Sequence, residues 1–331
     1  MATAVWFPHA RAVEIRDEPL REPGPDDVRV RAVLSALSQG TERLVYRGEV
    51  DEALPLDLPT LAGSYGFPVK FGYASVGRVT ATGRDVRGIG EGDLVFALHP
   101  HQSEYVVPAS LVHRLPDGVT PDQGVFLANL DTAVNVVLDA HPRSGETVAV
   151  FGQGVVGLLV TQLLRRAGAQ VIAIDPSQIR RDTAERCGAQ TILAIGDPTL
   201  LHALTAGRGV DIAIEASGNA DALQQAIDGV AVEGTVVVCS WYGGKPVTLD
   251  LGGNFHRGRV TLKSSQVGRI APALAPRWDR ERRLRVATEL LGELVLAELI
   301  THRVPFTHAA EAYDLLDRGS DDTVQVVLAY D

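Results

Sequence analysis

The sequence is poor in cysteine, with only Cys187 and Cys239 in 331 residues. Two thiols are too few for a disulfide framework, and they suit a reducing compartment. No apolar run reaches the roughly 18 residues of a membrane-spanning helix, so none is expected. The stretch MATAVWFPHARAVEIRD lacks a basic start followed by a long apolar core. No signal peptide is therefore expected, and the cytoplasm is the default location. Positive charge is also in deficit, with 31 Lys and Arg against 41 Asp and Glu and a net charge of −10. That balance argues against nucleic acid or an anionic membrane as a partner. No internal repeat or low-complexity tract is visible. What is present is core-forming: hydrophobic residues make up 45% of a chain long enough for two domains.

The most informative stretch runs from Val148 to Asp175, VAVFGQGVVGLLVTQLLRRAGAQVIAID. An apolar run, Val148 to Phe151, reads as a buried strand. It enters Gly152-Gln153-Gly154-Val155-Val156-Gly157, and Leu158 to Leu164 continues with helical character. A second run, Val171 to Ile174, ends in Asp175. This is a βαβ unit with the dinucleotide fingerprint in its first turn. Gly152 permits the tight turn, Gly154 lets a pyrophosphate approach the backbone, and Gly157 lets helix and strand pack closely. The helix N-terminus offers free N–H groups and a positive dipole end to phosphates. A carboxylate at Asp175 accepts from ribose hydroxyls and repels a 2′-phosphate, which favours NAD over NADP. Arg180 and Arg181 follow closely and are able to hold such a phosphate instead.

Residues 1 to about 120 have a different texture. Short apolar or alternating runs (Val28 to Val33, Ala74 to Val79, Leu94 to Leu98, Tyr105 to Val107) are punctuated by glycine and proline. This predicts a β-rich domain. From about 122 to 265 strands alternate with helices. Strands are expected at 148–151, 171–174, 191–194, 211–215, 235–239 and 259–263, with helices at 155–167, 178–187, 198–206 and 219–229. That alternation predicts a doubly wound parallel sheet, an α/β fold. Amphipathic helices are expected at 280–297 and 308–317, and a last strand, Thr323 to Ala329, is expected to return to the first domain. The expected division is 1–121, 122–265 and 266–331.

Several motifs along the chain resemble those of the medium-chain dehydrogenase/reductase superfamily. Gly72-Tyr73-Ala74-Ser75-Val76-Gly77-Arg78-Val79 resembles its G-H-E-x-x-G-x-V segment. Gly90-Glu91-Gly92-Asp93-Leu94-Val95 resembles its G-x-G-D-x-V turn. Gln39-Gly40-Thr41-Glu42 with Tyr46-Arg47-Gly48 resembles C-G-[ST]-D…Y-x-G, and Glu215-Ala216-Ser217-Gly218 resembles the turn beside the nicotinamide. The resemblance implies a GroES-like β-rich catalytic domain plus a Rossmann domain, with Gly152 to Gly157, Asp175, Arg180, Ser217, Gly218 and Ser240 on the cofactor. The departures concern zinc, which takes thiolate, imidazole or carboxylate ligands. Gln39 stands at the Cys position, Tyr73 at the His position, and the third position falls near Ala128 or Asn129. The four-Cys lobe is missing. The chain therefore resembles a zinc-lacking branch near threonine-dehydrogenase-like proteins. That branch includes bacteriochlorophyllide a dehydrogenase, which oxidises a tetrapyrrole side chain. No metal site is expected.

Without zinc, side chains must stabilise the developing alkoxide and supply a proton. Tyr73 is one candidate donor, with Lys70 or a histidine to lower its pKa; plain packing is the alternative. His99 and His101 follow the strand 94–98 and are candidate proton shuttles, His99 ahead of His101, unless the loop is simply solvated. The resemblance gives Thr41 the role of relaying a proton from the alcohol, acting with Glu42 or with the nicotinamide ribose; the alternative is a helix-capping hydroxyl. Gln39 is a candidate hydrogen-bonding partner of substrate or cofactor amide.

The expected function is a zinc-independent, NAD(H)-dependent oxidoreductase interconverting an alcohol and a ketone or aldehyde, on a bulky ring-bearing metabolite. Two alternatives stand: an NADPH-dependent C=C reductase of the quinone or enoyl type, and a non-catalytic nucleotide-binding protein on the same fold. The expected partner is a small-molecule substrate. The resemblance also implies a homodimer through Rossmann edge strands, here about 235–239 and 259–263.

Overall fold

From Asp27 to Ala36, buried Val28, Val30, Ala32 and Leu34 alternate with the more exposed Arg29 and Arg31. A period of two gives a strand one of whose faces joins a core. The computed structural model describes residues 1–56, 58–319 and 321–331. Two units divide it: residues 1–128 with 288–331, and residues 129–287.

The first unit opens with a hairpin, β1 (Ala2–Trp6) and β2 (Glu14–Glu18), followed by β3 (Asp27–Ala36) and helix α1 (Thr41–Arg47). Next come β4 (Ser75–Thr82), β5 (Leu94–Ala97), β6 (Glu104–Pro108), β7 (Val112–Arg114) and the single turn α2 (Pro121–Gly124). Strand β3 organises this sheet. It pairs with β4 along one edge, and with β6 at Asp27–Arg31 on the other. Val28, Val79, Val95, Tyr105 and Val112 pack into one core cluster. A second gathers Phe7, Leu44, Tyr46, Phe71, Tyr313 and Leu328. There Phe7, Tyr46 and Tyr313 meet with centroids 4.9–5.7 Å apart. Each such aromatic pair contributes about 1 kcal/mol beyond its buried area.

The second unit begins within α3 (Leu127–Ala140) and continues with β8 (Thr147–Phe151), α4 (Val155–Arg166), β9 (Gln170–Ile174) and α5 (Gln178–Arg186). Then follow β10 (Thr191–Leu193), α6 (Pro198–Leu204), β11 (Val210–Glu215), α7 (Ala220–Gly229), β12 (Val230–Val238), α8 (Asn254–Arg257), β13 (Thr261–Ser264) and α9 (Arg280–Leu290). The strand order is β10-β9-β8-β11-β12-β13, all pairs parallel. This is the doubly wound Rossmann order, whose switch point falls between the first and fourth strands, here β8 and β11. Strand β12 is paired on both sides, so residues 235–239 lie inside the sheet. Only β13 and β10 are its edges among the described residues, which corrects the edge expected at 235–239.

The chain then returns to the first unit as β14 (Ile300–Pro305), α10 (Ala309–Arg318) and β15 (Gln325–Ala329). Strand β15 pairs antiparallel with Leu34–Ala36 of β3, beyond the reach of β6. The boundaries fall at 128/129 and 287/288, not at the expected 121/122 and 265/266. Residues 266–287 belong with the Rossmann unit because Arg283 is buried against α3. Its guanidinium donates twice to Asp131, at 2.7 Å each, and once to Asn135 at 2.7 Å. No helix among the described residues is long and apolar enough to cross a membrane.

Candidate active site

In the Rossmann unit the candidate residues gather at the C-terminal ends of β8, β9, β11 and β12. Gly152 has φ +93°, and a Cβ there would lie 2.8 Å from the backbone of Ala216 and Ser217. A Cβ on Gly157 would lie 1.9 Å from the Gly152 carbonyl oxygen. Both glycines serve the protein's own packing. Gly154 differs: a Cβ there meets nothing within 4 Å, and as N-cap of α4 it places no side chain on the helix's free N–H groups. That open turn, with Val155 and Val156 as the first helical residues, fits a phosphate held by backbone N–H groups.

Beneath it lies Gln153, fully buried. Its amide donates to the Val150 carbonyl at 3.0 Å and accepts from Thr161 at 3.1 Å, and its own N–H goes to Asp175. Gln153 therefore braces the turn, with its backbone N–H and one of its two amide N–H groups spent inside the protein. Asp175 is buried and accepts from the N–H groups of Gln153 (2.7 Å) and Ser177 (2.9 Å). A carboxylate offers about four lone-pair sites, so capacity for ribose hydroxyls remains. Arg180 lies 3.8 Å from the same carboxylate, whereas Arg181 donates to the backbone carbonyls of Asp175 and Pro176.

At the end of β11, Glu215 knots the neighbouring turn. One of its oxygens accepts from the Ser217 N–H (2.7 Å), the Ser217 hydroxyl (2.7 Å) and the Gly218 N–H (2.8 Å). The Gly218 N–H is shared with the Ser240 hydroxyl at 2.9 Å. The sequence motif around Glu215 gives the acid itself no role in the site; a buried acid two residues before a Ser-Gly turn is the signal for it. Nearby Cys239 contacts the Glu215 carbonyl, and burial pushes its thiol pKa well up.

The β-rich unit brings together a different set. Tyr73 is partly buried, and the hydroxyls of Ser38 and Thr41 lie beside its phenol, where they lower its proton affinity. Burial first, and then the charge of Glu42, push the phenol up to about 12, against the opposing pull of those two hydroxyls. Lys70 does not assist, because its ammonium pairs with Glu18 at 2.7 Å and Gln102 at 3.1 Å. Thr41 is the first residue of α1, whose N-cap is Gly40, with no side-chain cap bond. The Thr41 hydroxyl is thus turned to Tyr73, not to capping. Ser38, three residues before it, was not foreseen.

Gln39 stands apart, its amide donating to the Val324 carbonyl at 2.8 Å. It ties this loop to the C-terminal segment through one of its two amide N–H groups. His99 is corrected. It is buried and stacked on Tyr105 at 3.8 Å, and its Nδ1 lies 3.0 Å from the Pro100 carbonyl, which can only accept. Desolvation lowers its pKa to about 3, so it carries no proton to give near neutral pH. His101 is fully buried, between the Ser35 hydroxyl at 2.7 Å and Glu42 at 2.9 Å. Gly72 is required beside it: at φ +131°, a Cβ would lie 2.8 Å from the His101 ring.

Among the described residues no group of three or more His, Cys, Asp or Glu is arranged to hold a metal ion. The positions that the sequence motifs align with zinc ligands carry the Gln39 amide and the Tyr73 phenol, which are not zinc donors.

A six-stranded parallel sheet with an open glycine turn at its switch point, joined in one chain to a β-rich unit, is the architecture of a two-domain dehydrogenase. Residues 155–280 match the family model described as zinc-binding dehydrogenase. The chain is 31% identical over 290 residues to (R,R)-butanediol dehydrogenase of Bacillus subtilis (strain 168), covering 77% of this chain and 79% of the relative. It is 29% identical over 328 residues to D-guloside 3-dehydrogenase of Escherichia coli (strain K12), covering 92% and 93%. The crystal structure of 2R,3R-butanediol dehydrogenase from Bacillus subtilis superposes with a TM-score of 0.81 at 21% identity, covering 99% of each chain. The chain belongs to the medium-chain dehydrogenase/reductase superfamily and is an oxidoreductase of that type.

Proposed function

We propose that the protein is a nicotinamide-dependent oxidoreductase that interconverts an alcohol and a ketone or aldehyde without zinc, with Tyr73 as the proton donor. The observation that carries this reading is the Tyr73 phenol, flanked by the Ser38 and Thr41 hydroxyls, at the position where the zinc-dependent pattern has a histidine. The nicotinamide, when bound, supplies or accepts the hydride. The Gly154 turn and the bare start of α4 would hold its pyrophosphate, and Asp175 its adenosine ribose. In the reducing direction the Tyr73 O–H bond breaks and its proton goes to the substrate oxygen. Ser38 and Thr41 then return a proton from water to the phenolate. A phenol with a pKa of about 12 is protonated near neutral pH and is still a stronger acid than an alcohol, so it can protonate an alkoxide. The substrate we propose is a ring-bearing secondary alcohol or its ketone, a reading supported by the likeness to a relative named for a guloside.

NAD is preferred in this reading because Asp175 would face a 2′-phosphate. Arg180, 3.8 Å from Asp175, favours the second reading, an NADPH-dependent reductase of an activated C=C bond. A fluorescence titration of metal-stripped protein with NADH, and separately NADPH, is the test. Tighter NADH binding, followed by metal-free ketone reduction, is the expected result. NADPH preference would favour the second reading. Activity restored only by added Zn²⁺ would overturn the role of Tyr73. Binding of neither nucleotide would point to a non-catalytic protein.

A further inference from the structure

Glu42 is fully buried, a position a carboxylate occupies only when hydrogen-bonded. Three donors reach it. The Ser38 N–H donates to one oxygen at 3.1 Å. His101 Nε2 and the Tyr313 hydroxyl reach the other at 2.9 and 2.8 Å. The far side of the network is closed as well: His101 Nδ1 lies 2.7 Å from the Ser35 hydroxyl, which lies 2.9 Å from the Tyr330 hydroxyl. Charge-assisted bonds of this kind are about twice as strong as neutral ones, and in a dry site they fix geometry. What they fix here is the loop that enters α1. Glu42 follows Thr41 directly, and it holds the backbone of Ser38. The two residues whose hydroxyls reach Tyr73 are therefore pinned at both ends of one four-residue segment.

We propose that Glu42 is the positioning residue of this site: through Ser38 N–H, His101 and Tyr313 it fixes the segment that sets the Ser38 and Thr41 hydroxyls beside the Tyr73 phenol. The proposal deepens the reading of Tyr73 as the acid and rests on it. Two titratable groups act on the phenol by charge, Glu42 from α1 and Tyr65 from the preceding loop. Glu42 itself is faced by His101 and Tyr313. Of these, Glu42 raises the phenol's proton affinity more than Tyr65 does.

The experiment is a titration of tyrosinate ultraviolet absorbance on the whole chain, with Tyr73→Phe as the background that isolates the Tyr73 step. In the parent protein that step stands near 12. In Glu42→Gln it is expected to fall by about one unit or more, toward the ordinary phenol value of about 10. Ketone reduction should lose about tenfold in kcat with little change in the KM of the nucleotide. Glu42→Asp, which keeps the charge, should recover part of both. Should Glu42→Gln not fold, Tyr313→Phe removes one donor and leaves the charge and two bonds in place; it should lower kcat and shift the step by a smaller amount. A folded variant whose stability changes while its Tyr73 step stays in place would overturn the proposal and leave Glu42 a purely structural acid. The absorbance readout needs neither substrate nor nucleotide. A step that moves in a protein with no turnover would therefore uphold the role of Glu42 while sinking the assigned reaction.

Discussion

Burial against the flat face of Tyr105 removes His99 from proton transfer near neutral pH and turns it into an acid-sensitive part of the core. Its folded pKa of about 3 lies below the ordinary value of 6.5. Between those values the unfolded chain binds a proton that the folded chain does not. The contribution is therefore complete above pH 6.5 and is lost as pH falls toward 3. At pH 4.5 the expected loss is about 2–3 kcal/mol. Urea unfolding of the parent protein and of His99→Phe, at pH 7 and pH 4.5, checks this: the variant should lose distinctly less stability on acidification. An equal loss in both would remove His99 as the cause. Tyr73 is the opposite case, partly exposed and placed for chemistry. Tyr73→Phe keeps the ring and its packing on Phe71, 6.2 Å away. It should lower ketone reduction by about 10²-fold or more while leaving NADH affinity unchanged. Activity within a few fold of the parent would transfer the acid role elsewhere.

At the scale of elements, the glycine turn between β8 and α4 separates what the fold needs from what a ligand needs. Gly157→Ala drives a methyl into the Gly152 carbonyl, a backbone group that cannot swing away, and should cost about 3 kcal/mol or more. Gly154→Ala meets open space at an ordinary φ of −70°, so stability should stay within about 0.5 kcal/mol. The same methyl would stand where a pyrophosphate approaches, and NADH affinity should fall at least about tenfold. Thermal unfolding and nucleotide titration of the two variants should thus give opposite patterns; a Gly154→Ala protein that binds NADH normally would refute the cradle. This turn was legible in sequence because its rules are local: glycine spacing, a strand before, a helix after. The Rossmann strands were legible for the same reason, their apolar runs matching β8, β9 and β11 to within a residue at either end. The β-rich unit's site was only half legible. Tyr73 and Thr41 are marked by motif, but the partners of Thr41 and Glu42 come from segments up to 271 residues away, as with Tyr313 on Glu42. No periodicity in one strand or helix encodes such a pairing. His99 was misjudged because its surroundings depend on Tyr105, six residues later on another strand.

For the molecule as a whole, residues up to 287 stay with the Rossmann unit, and a buried ion pair that composition does not announce helps hold them there. Arg283 and Asp131 are 152 residues apart in sequence. The sheet of the Rossmann unit also has consequences beyond its own chain. Strand β13 is a short edge whose one charged residue, Lys263, is drawn to Asp139 at 3.0 Å, and Leu262 on it is 39% exposed. A second copy related by a two-fold axis would pair β13 with β13 antiparallel and cover that leucine. The homodimer is therefore proposed through β13 alone, since β12 is already satisfied on both sides. Each copy carries a net charge of −10, so association works against long-range repulsion and should tighten as salt screens it. Sedimentation velocity of the parent protein should show a dimer that strengthens from low to moderate ionic strength. Leu262→Lys leaves the strand's backbone donors intact but sets two ammonium groups near the two-fold axis, and it should sediment as a monomer with unchanged NADH affinity. A parent protein that is monomeric at every salt concentration would exclude this assembly. A Leu262→Lys variant that stays dimeric would move the interface away from β13.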